Sequence, residues 1–355
     1  MPKLLVYLDQ SYVSTMAKHG ASAVRRDQAA LGKAVGDLYD LLSRLVDADK
    51  VLCPMSAVHG QETELDDRVS DAVYEILYEL ADGRSFHPYP IIEFGQTRRA
   101  LRRYLSRPAE EEGAWQHAFN EHPHEPVRRP RMHVRIPLPK AFSEDDRRRK
   151  ALMQTFREQQ IALRAGSPPR SFADERRGQL GGVARIRYFD ALREFLVRYN
   201  AVLEGDASAP RPAAGGWDQA TIDYFDWTTP PPALRLIQDY AEITGKSLLE
   251  CVADDEYWQF FASPAFDAVP YYDVFCSVEA GFLVHQRDRK PRGSDPYDFA
   301  ALGSVLPYVD IVTTDAAMKR MLKQLGLDFR YGVEVYSPQQ PDVEALAARL
   351  AHPTP

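Results

Sequence analysis

Asp298 and Asp315 flank the most informative stretch of the chain, SDPYDFAALGSVLPYVDIVTTD from Ser294 to Asp315. Asp295 and Asp298 surround Pro296, a composition suited to the first turn of a helix, where the macrodipole favours acids. Asp315 closes the run Val309, Ile311, Val312, which reads as a strand buried in a parallel sheet. An α/β sheet places its chemistry outside the carboxyl ends of its strands. An acid at a helix start and an acid at a strand end can therefore face one point. Alone, each is an ordinary N-cap or loop acid. Joined by acids arriving at matching places, they would line a negative pocket that needs a cation or protons.

Two further acids stand at such places. Lys3 to Leu8, KLLVYL, reads as a buried strand running into Asp9, with Gln10, Ser11 and Tyr12 opening a helix behind it. A helix is expected from Asp27 to Asp47, on the spacing of Leu31, Val35, Leu38, Leu41, Leu42 and Leu45. Val51 and Leu52 make a very short strand ended by Pro54. Ser56 then caps a helix through Ala81, and its stripe of Val69, Val73, Ile76, Leu77 and Leu80, extended backwards, turns Glu62 inward while Glu64 faces water. His59 lies three residues before Glu62 on the same face. It can hydrogen-bond substrate or a carboxylate, or be a satisfied core histidine. Between the acids near the C-terminus, Phe299 to Leu306 carries no charge and predicts a helix buried on most sides.

Strand-end Asp9, helical Glu62, helix-start Asp298 and strand-end Asp315 in the setting Val312, Thr313, Thr314, Asp315 together resemble the PIN domain, a compact α/β metal-dependent ribonuclease fold. LPYVDIVTTD, with Tyr308 and Asp310, is similar to a variant found in bacterial PIN-like proteins. The resemblance covers about 85 residues at each end, roughly one small domain. Its specificity lies in the order and context of four acids. It implies a three-layer fold with a central parallel sheet, divided into residues 1–85 and 266–345 by a mostly helical, arginine-rich insertion over residues 86–265.

That insertion carries the basic charge. Net charge is -7, yet Arg98 to Arg198 holds 23 Lys and Arg against 13 Asp and Glu, while the rest holds 21 against 38. Prolines from Pro88 to Pro139 are expected to break it repeatedly. Arg98, Arg99, Arg102 and Arg103 form a cluster on a short helix. Val183 to Tyr199 predicts a helix with Ile186, Phe189, Leu192, Phe195 and Leu196 as its stripe. Glu204 to Gly216 reads as a loop, and Leu234 to Ala253 as two helical pieces broken near Gly245. Helix Val274 to Gln286 should pack on the sheet. Arginines mixed with Tyr104, Trp115, Phe119, Tyr188 and Phe189 suit a phosphate backbone and stacked bases. Each aromatic, taken singly, is more simply the insertion's own core.

Other chemistries find little support. Gly245, Lys246 and Ser247 resemble a P-loop ending, but Tyr240 occupies the place of the required glycine. No G-x-S-x-G or G-x-G-x-x-G is present. Three separated cysteines, Cys53, Cys251 and Cys276, exclude zinc ribbons and a disulfide framework and fit a reducing cytoplasm. The opening MPKLLVYLDQ has too short an apolar run for a signal peptide, and no stretch approaches a membrane span. No membrane partner is expected.

Four gathered carboxylates repel one another, and an all-oxygen set suits Mg²⁺ or Mn²⁺ rather than zinc. The expected ligands are Asp9, Glu62, Asp298 and Asp315, with Asp295 and Asp310 as supporting or substitute ligands. Ser11, His59, Thr313, Arg98 and Arg102 are the expected substrate-side residues. The leading expectation is a metal-dependent endoribonuclease acting on RNA, toxin-like or defensive and held by an inhibitory partner protein. A flap-type DNA nuclease uses the same acids. A non-catalytic RNA-binding scaffold and a small-molecule phosphohydrolase are the alternatives from other classes.

Overall fold

The structure, a computed structural model, describes residues 3–20, 29–59, 70–106, 118–124, 155, 170–190, 192, 232–286, 289, 292 and 294–352. The protein is α/β. Strand β1 (Leu4–Tyr7) leads to helices α1 (Gln10–Gly20) and α2 (Ala29–Asp47), then to β2 (Val51–Leu52). Helix α3 (Ser70–Ala81) follows, and then the helical section: α4 (Tyr89–Tyr104), α5 (Phe172–Ala184) with a π-turn (Arg185–Asp190), α6 (Pro232–Thr244), α7 (Leu248–Val252), α8 (Asp255–Phe260) and α9 (Pro264–Asp267). The chain returns through α10 (Pro270–His285) and α11 (Asp295–Val305), a 3₁₀ turn (Leu306–Tyr308) and β3 (Ile311–Thr313). It ends with α12 (Ala316–Gln324), α13 (Leu327–Tyr331), β4 (Glu334–Tyr336) and α14 (Gln340–Ala351).

The four strands form one parallel sheet in the order β2-β1-β3-β4, with Val6 opposite Ile311 and Tyr7 opposite Val312. Both faces are covered, which is why the strands are continuously apolar rather than alternating. Leu5, Tyr7, Leu52, Val312 and Val335 join a core with α10 to α13. Val6, Val51 and Ile311, one residue out of phase, join a second core with α1, α2, α3 and α14. A third core lies among α4 to α9 and the outer side of α10 and α11, including Tyr188, Phe260, Phe266, Tyr272, Cys276 and Ala300. The helical section thus shares its core with residues beyond 265. Every residue from Phe299 to Leu306 is buried, as its lack of charge predicts.

Three expectations need correction. Pro88 and Pro90 do not break the chain; they start α4, where a proline lacks no needed donor and its fixed φ fits the first turn. The arginine cluster consequently sits on a helix of 16 residues, not a short one. The stripe assigned to Val183–Tyr199 fails at Ile186, which is 67% exposed. The π-turn over Arg185–Asp190 adds residues to one turn and shifts the phase, so Tyr188 turns inward instead. Gly245 does separate α6 from α7, at φ +70°. Of the proposed stacking aromatics, Phe119 and Tyr188 are buried and Phe189 stacks on Trp258 at 4.4 Å, so these serve the core. Trp115, Arg147–Lys150, Phe195 and the loop 204–216 lie outside the described residues.

Helices α10 and α11 approach closely at Gly303, where an added Cβ would stand 2.9 Å from the backbone oxygen of Tyr271. Backbone cannot swing aside as a side-chain tip can. Gly303→Ala is expected to destabilise the protein by about 1–3 kcal/mol, the range for overpacking a tight contact, read as a lower urea midpoint.

Candidate active site at the carboxyl ends of the sheet

The strand order creates a crevice. From β1 the chain crosses to β2 over the face covered by α1 and α2, whereas from β3 it crosses to β4 over the opposite face through α12. Neighbouring strands whose connections leave in opposite directions leave an opening at their carboxyl ends, where ligands bind in open α/β sheets. In this sheet that opening lies between β1 and β3. Asp9 stands two residues beyond β1 and Asp315 two residues beyond β3.

Asp9 is held from both sides. Its N–H donates to Thr313 Oγ1 at 2.8 Å, which ties the end of β1 to the end of β3. Ser11 Oγ donates to Asp9 Oδ2 at 2.7 Å. Burial pushes its carboxyl above the usual carboxylate range, against the bonds from Ser11 and the backbone of Gln10, and the charge of Asp315 pushes it further. Asp315 caps α12: its Oδ1 accepts the Met318 N–H at 2.8 Å, while Oδ2 faces Arg292 Nη1 at 3.5 Å. Asp298 lies in the first turn of α11. The hydrogen bonds from Asp295 hold the Arg289 guanidinium above its ordinary pKa against burial, and the charges of Asp295, Asp315 and Asp298 add to this.

Not every expected residue reaches this point. Asp295 is 1% exposed and committed: Arg289 grips both its oxygens at 2.7 Å, and the Arg292 N–H adds 2.8 Å to Oδ2. It anchors the segment before α11. Asp310 precedes β3 and so lies at the amino end of the sheet, where its carboxylate accepts the Leu5 N–H at 2.7 Å. The length of a strand separates it from Asp315. Arg98 pairs with Asp239 at 2.7 Å; burial raises that carboxyl against the opposing charges of Arg98 and Arg102, and both arginines serve the contact of α4 with α6. Glu62 and Glu64 lie outside the described residues. Ser11 and Thr313 are brought to the site, where they orient Asp9. Arg289 and Arg292 were missed. The signal for them was the basic run Arg287, Arg289, Lys290, Arg292 immediately before the acids of α11.

His59 proves to be a satisfied core histidine. Its Nδ1 accepts the Ser56 N–H at 3.1 Å, which leaves Nε2–H to donate to the Leu8 oxygen at 2.6 Å, and the ring stacks on Tyr7 at 5.1 Å. No nitrogen is left for substrate. Burial lowers its pKa to about 4, opposed by the Leu8 bond. The unfolded histidine takes a proton near 6.5, so between about pH 6.5 and 4 the unfolded chain binds more protons. Stability is therefore full above 6.5 and falls as pH drops through that window, by about 3 kcal/mol in all. Urea titrations at pH 7 and pH 4.5 should show this loss in wild type and not in His59→Gln.

The donor chemistry of Asp9 and Asp315 fits a hard dication: both are carboxylates, and a carboxyl raised by burial and a like charge gains most from a cation. Among the described residues no three His, Cys, Asp or Glu side chains gather closely enough to hold a metal ion. Mg²⁺ is usually held by only one or two carboxylates, with water and substrate phosphates completing its shell. No family model matches the chain, and no curated protein or solved structure gives a significant match. No described helix is long and apolar enough to cross a membrane.

Proposed function

We propose that this protein is a metal-dependent endoribonuclease on a PIN-like fold, cleaving phosphodiester bonds of single-stranded RNA at the crevice between β1 and β3. The observation that carries this reading is the pair Asp9 and Asp315 at the carboxyl ends of the two strands that flank the switch point. Asp298, near the same cation, supports it.

Asp9 and Asp315 would hold Mg²⁺ or Mn²⁺, with Asp298 and Glu62 as the further carboxylates. A dication there supplies a more acidic bound water and positive charge for the phosphate as its bond to the leaving oxygen breaks. The remaining work belongs to the chain. Ser11 fixes one oxygen of Asp9, and Thr313 fixes its backbone, so the carboxyl is aimed before any ligand arrives. The Met318 N–H occupies Oδ1 of Asp315, and Oδ2 faces only the loosely paired Arg292 among the described residues. Such preorganisation removes the need to order these groups during reaction.

The test is cleavage of a labelled single-stranded RNA with Mn²⁺ or Mg²⁺ and with chelator. Metal-dependent products with internal ends are expected. Undiminished cleavage in chelator removes the metal mechanism, and binding without cleavage under every metal condition points to the scaffold alternative.

A further inference from the structure

Arg289 and Arg292 leave the same short segment but are held very differently. Arg289 is locked: it is bidentate on Asp295, its guanidinium lies 4.4 Å over the Phe282 ring, and its side chain is 17% exposed. Among the described residues Arg292 is held through its main chain, its N–H donating to Asp295 Oδ2 at 2.8 Å and its carbonyl accepting the Asp295 N–H at 3.1 Å. Its side chain is 65% exposed, and Nη1 stands 3.5 Å from Asp315 Oδ2, beyond a good hydrogen bond. An exposed pair of this kind contributes about 0–1 kcal/mol, so it parts readily.

We propose that Arg292 is the substrate-anchoring residue of this site, leaving Asp315 to pair with a phosphate of single-stranded RNA while Arg289 stays as a fixed internal cation. This inference rests on the nuclease reading above. A crevice flanked by Asp9 and Asp315 repels a polyanion. A guanidinium beside Asp315 weakens that repulsion and offers a planar fork that matches two phosphate oxygens. Lys319, one turn along α12, is committed to Asp342 at 2.6 Å, and Arg98 is committed to Asp239. Asp295 thus acts by presentation: it pins the main chain of Arg292 at the lip of the site and leaves the side chain able to move.

The experiment compares wild type, Arg292→Ala, Arg292→Gln and Arg292→Lys. Anisotropy of a short fluorescein-labelled single-stranded RNA is followed over a salt series with Ca²⁺ in place of Mg²⁺, probe integrity being checked on a gel. Steady-state cleavage is then measured with Mg²⁺. Loss of one phosphate contact should flatten the slope of log K against log salt by about 0.7 and weaken binding about five-fold at 0.1 M salt. The expected kinetic signature in both neutral variants is a raised KM with little change in kcat, and the lysine variant should recover most of the salt slope. Unchanged slope and KM in the two neutral variants, beside an active wild type, overturn the role of Arg292 and leave the nuclease reading standing. A wild type that neither binds nor cleaves RNA overturns both.

Discussion

Asp9→Asn is expected to abolish nearly all RNA cleavage while leaving the fold as stable as wild type or more so. The two halves of this result have one cause. In the native protein the Asp9 carboxyl is raised by burial and by the charge of Asp315, so its ionised form works against folding. An amide of the same shape removes that conflict. It still offers an oxygen to Ser11 Oγ, and the main-chain N–H of the residue still donates to Thr313 Oγ1. The charge that would hold a dication is lost. A carboxylate–metal contact supplies several kcal/mol of transition-state stabilisation, so cleavage should fall by about a thousand-fold. Initial rates on labelled RNA and a urea midpoint at pH 7 measure the two quantities. Wild-type activity in a folded Asp9→Asn protein ends the proposed site. A large drop in stability would instead make Asp9 a structural residue.

Much of this arrangement was legible because the determining signals are local. KLLVYL and DIVT are apolar runs of strand length, and a strand's direction fixes which flank lies at its carboxyl end. That rule placed Asp9 and Asp315 at the same edge. It also excludes Asp310, which precedes the apolar run of β3 in the sequence itself. The capping role of Asp315 and the burial of α11 likewise follow from adjacent residues. Long-range pairing was not legible. β4 is only three residues, Glu334–Tyr336, with Val335 its one aliphatic side chain, and nothing local marks it as an outer strand of the sheet. Asp295 reads as a helix-start acid like Asp298 until Arg289 is seen to fill it. The π-turn upsets periodicity at Ile186, since a stripe extrapolated at 3.6 residues per turn loses phase where the turn widens, while Phe189 and Leu192 still reach the core. Fourteen of the 23 Lys and Arg between Arg98 and Arg198 fall outside the described residues. Of the part that is seen, Arg98, Arg176 and Arg187 face carboxylates of the protein itself.

The Arg187 pair supports the prediction with the largest effect on stability. Glu93 in α4 is fully buried, and Arg187 in the π-turn meets it with Nε at 3.0 Å from Oε1 and Nη2 on Oε2. Tyr272 also donates to Glu93, and Tyr188 bridges Tyr272 at 3.0 Å and Thr97 at 3.4 Å. Burial alone would lower the guanidinium pKa, but the charge of Glu93 prevails and raises it. Arg187→Ala would leave the fully buried Glu93 without its cation, at a cost of about 3–5 kcal/mol, as for other broken buried pairs. The double variant Glu93→Gln, Arg187→Met keeps volume and removes both charges, so it should recover most of that loss, a non-additivity a double-mutant cycle in urea would report. A cost below about 1 kcal/mol for Arg187→Ala would mean that water already satisfies Glu93. The consequence reaches the site through α4. Gln96, one turn beyond Glu93, accepts the Tyr271 N–H at 2.6 Å and donates to Tyr308 Oη at 2.9 Å, on the turn that leads into β3. The pair therefore clamps the helix that braces the strand carrying Asp315. A variant that remains folded should cleave RNA with wild-type metal dependence and fail at a lower temperature, because the clamp sets how long the crevice keeps its shape and takes no part in the chemistry inside it.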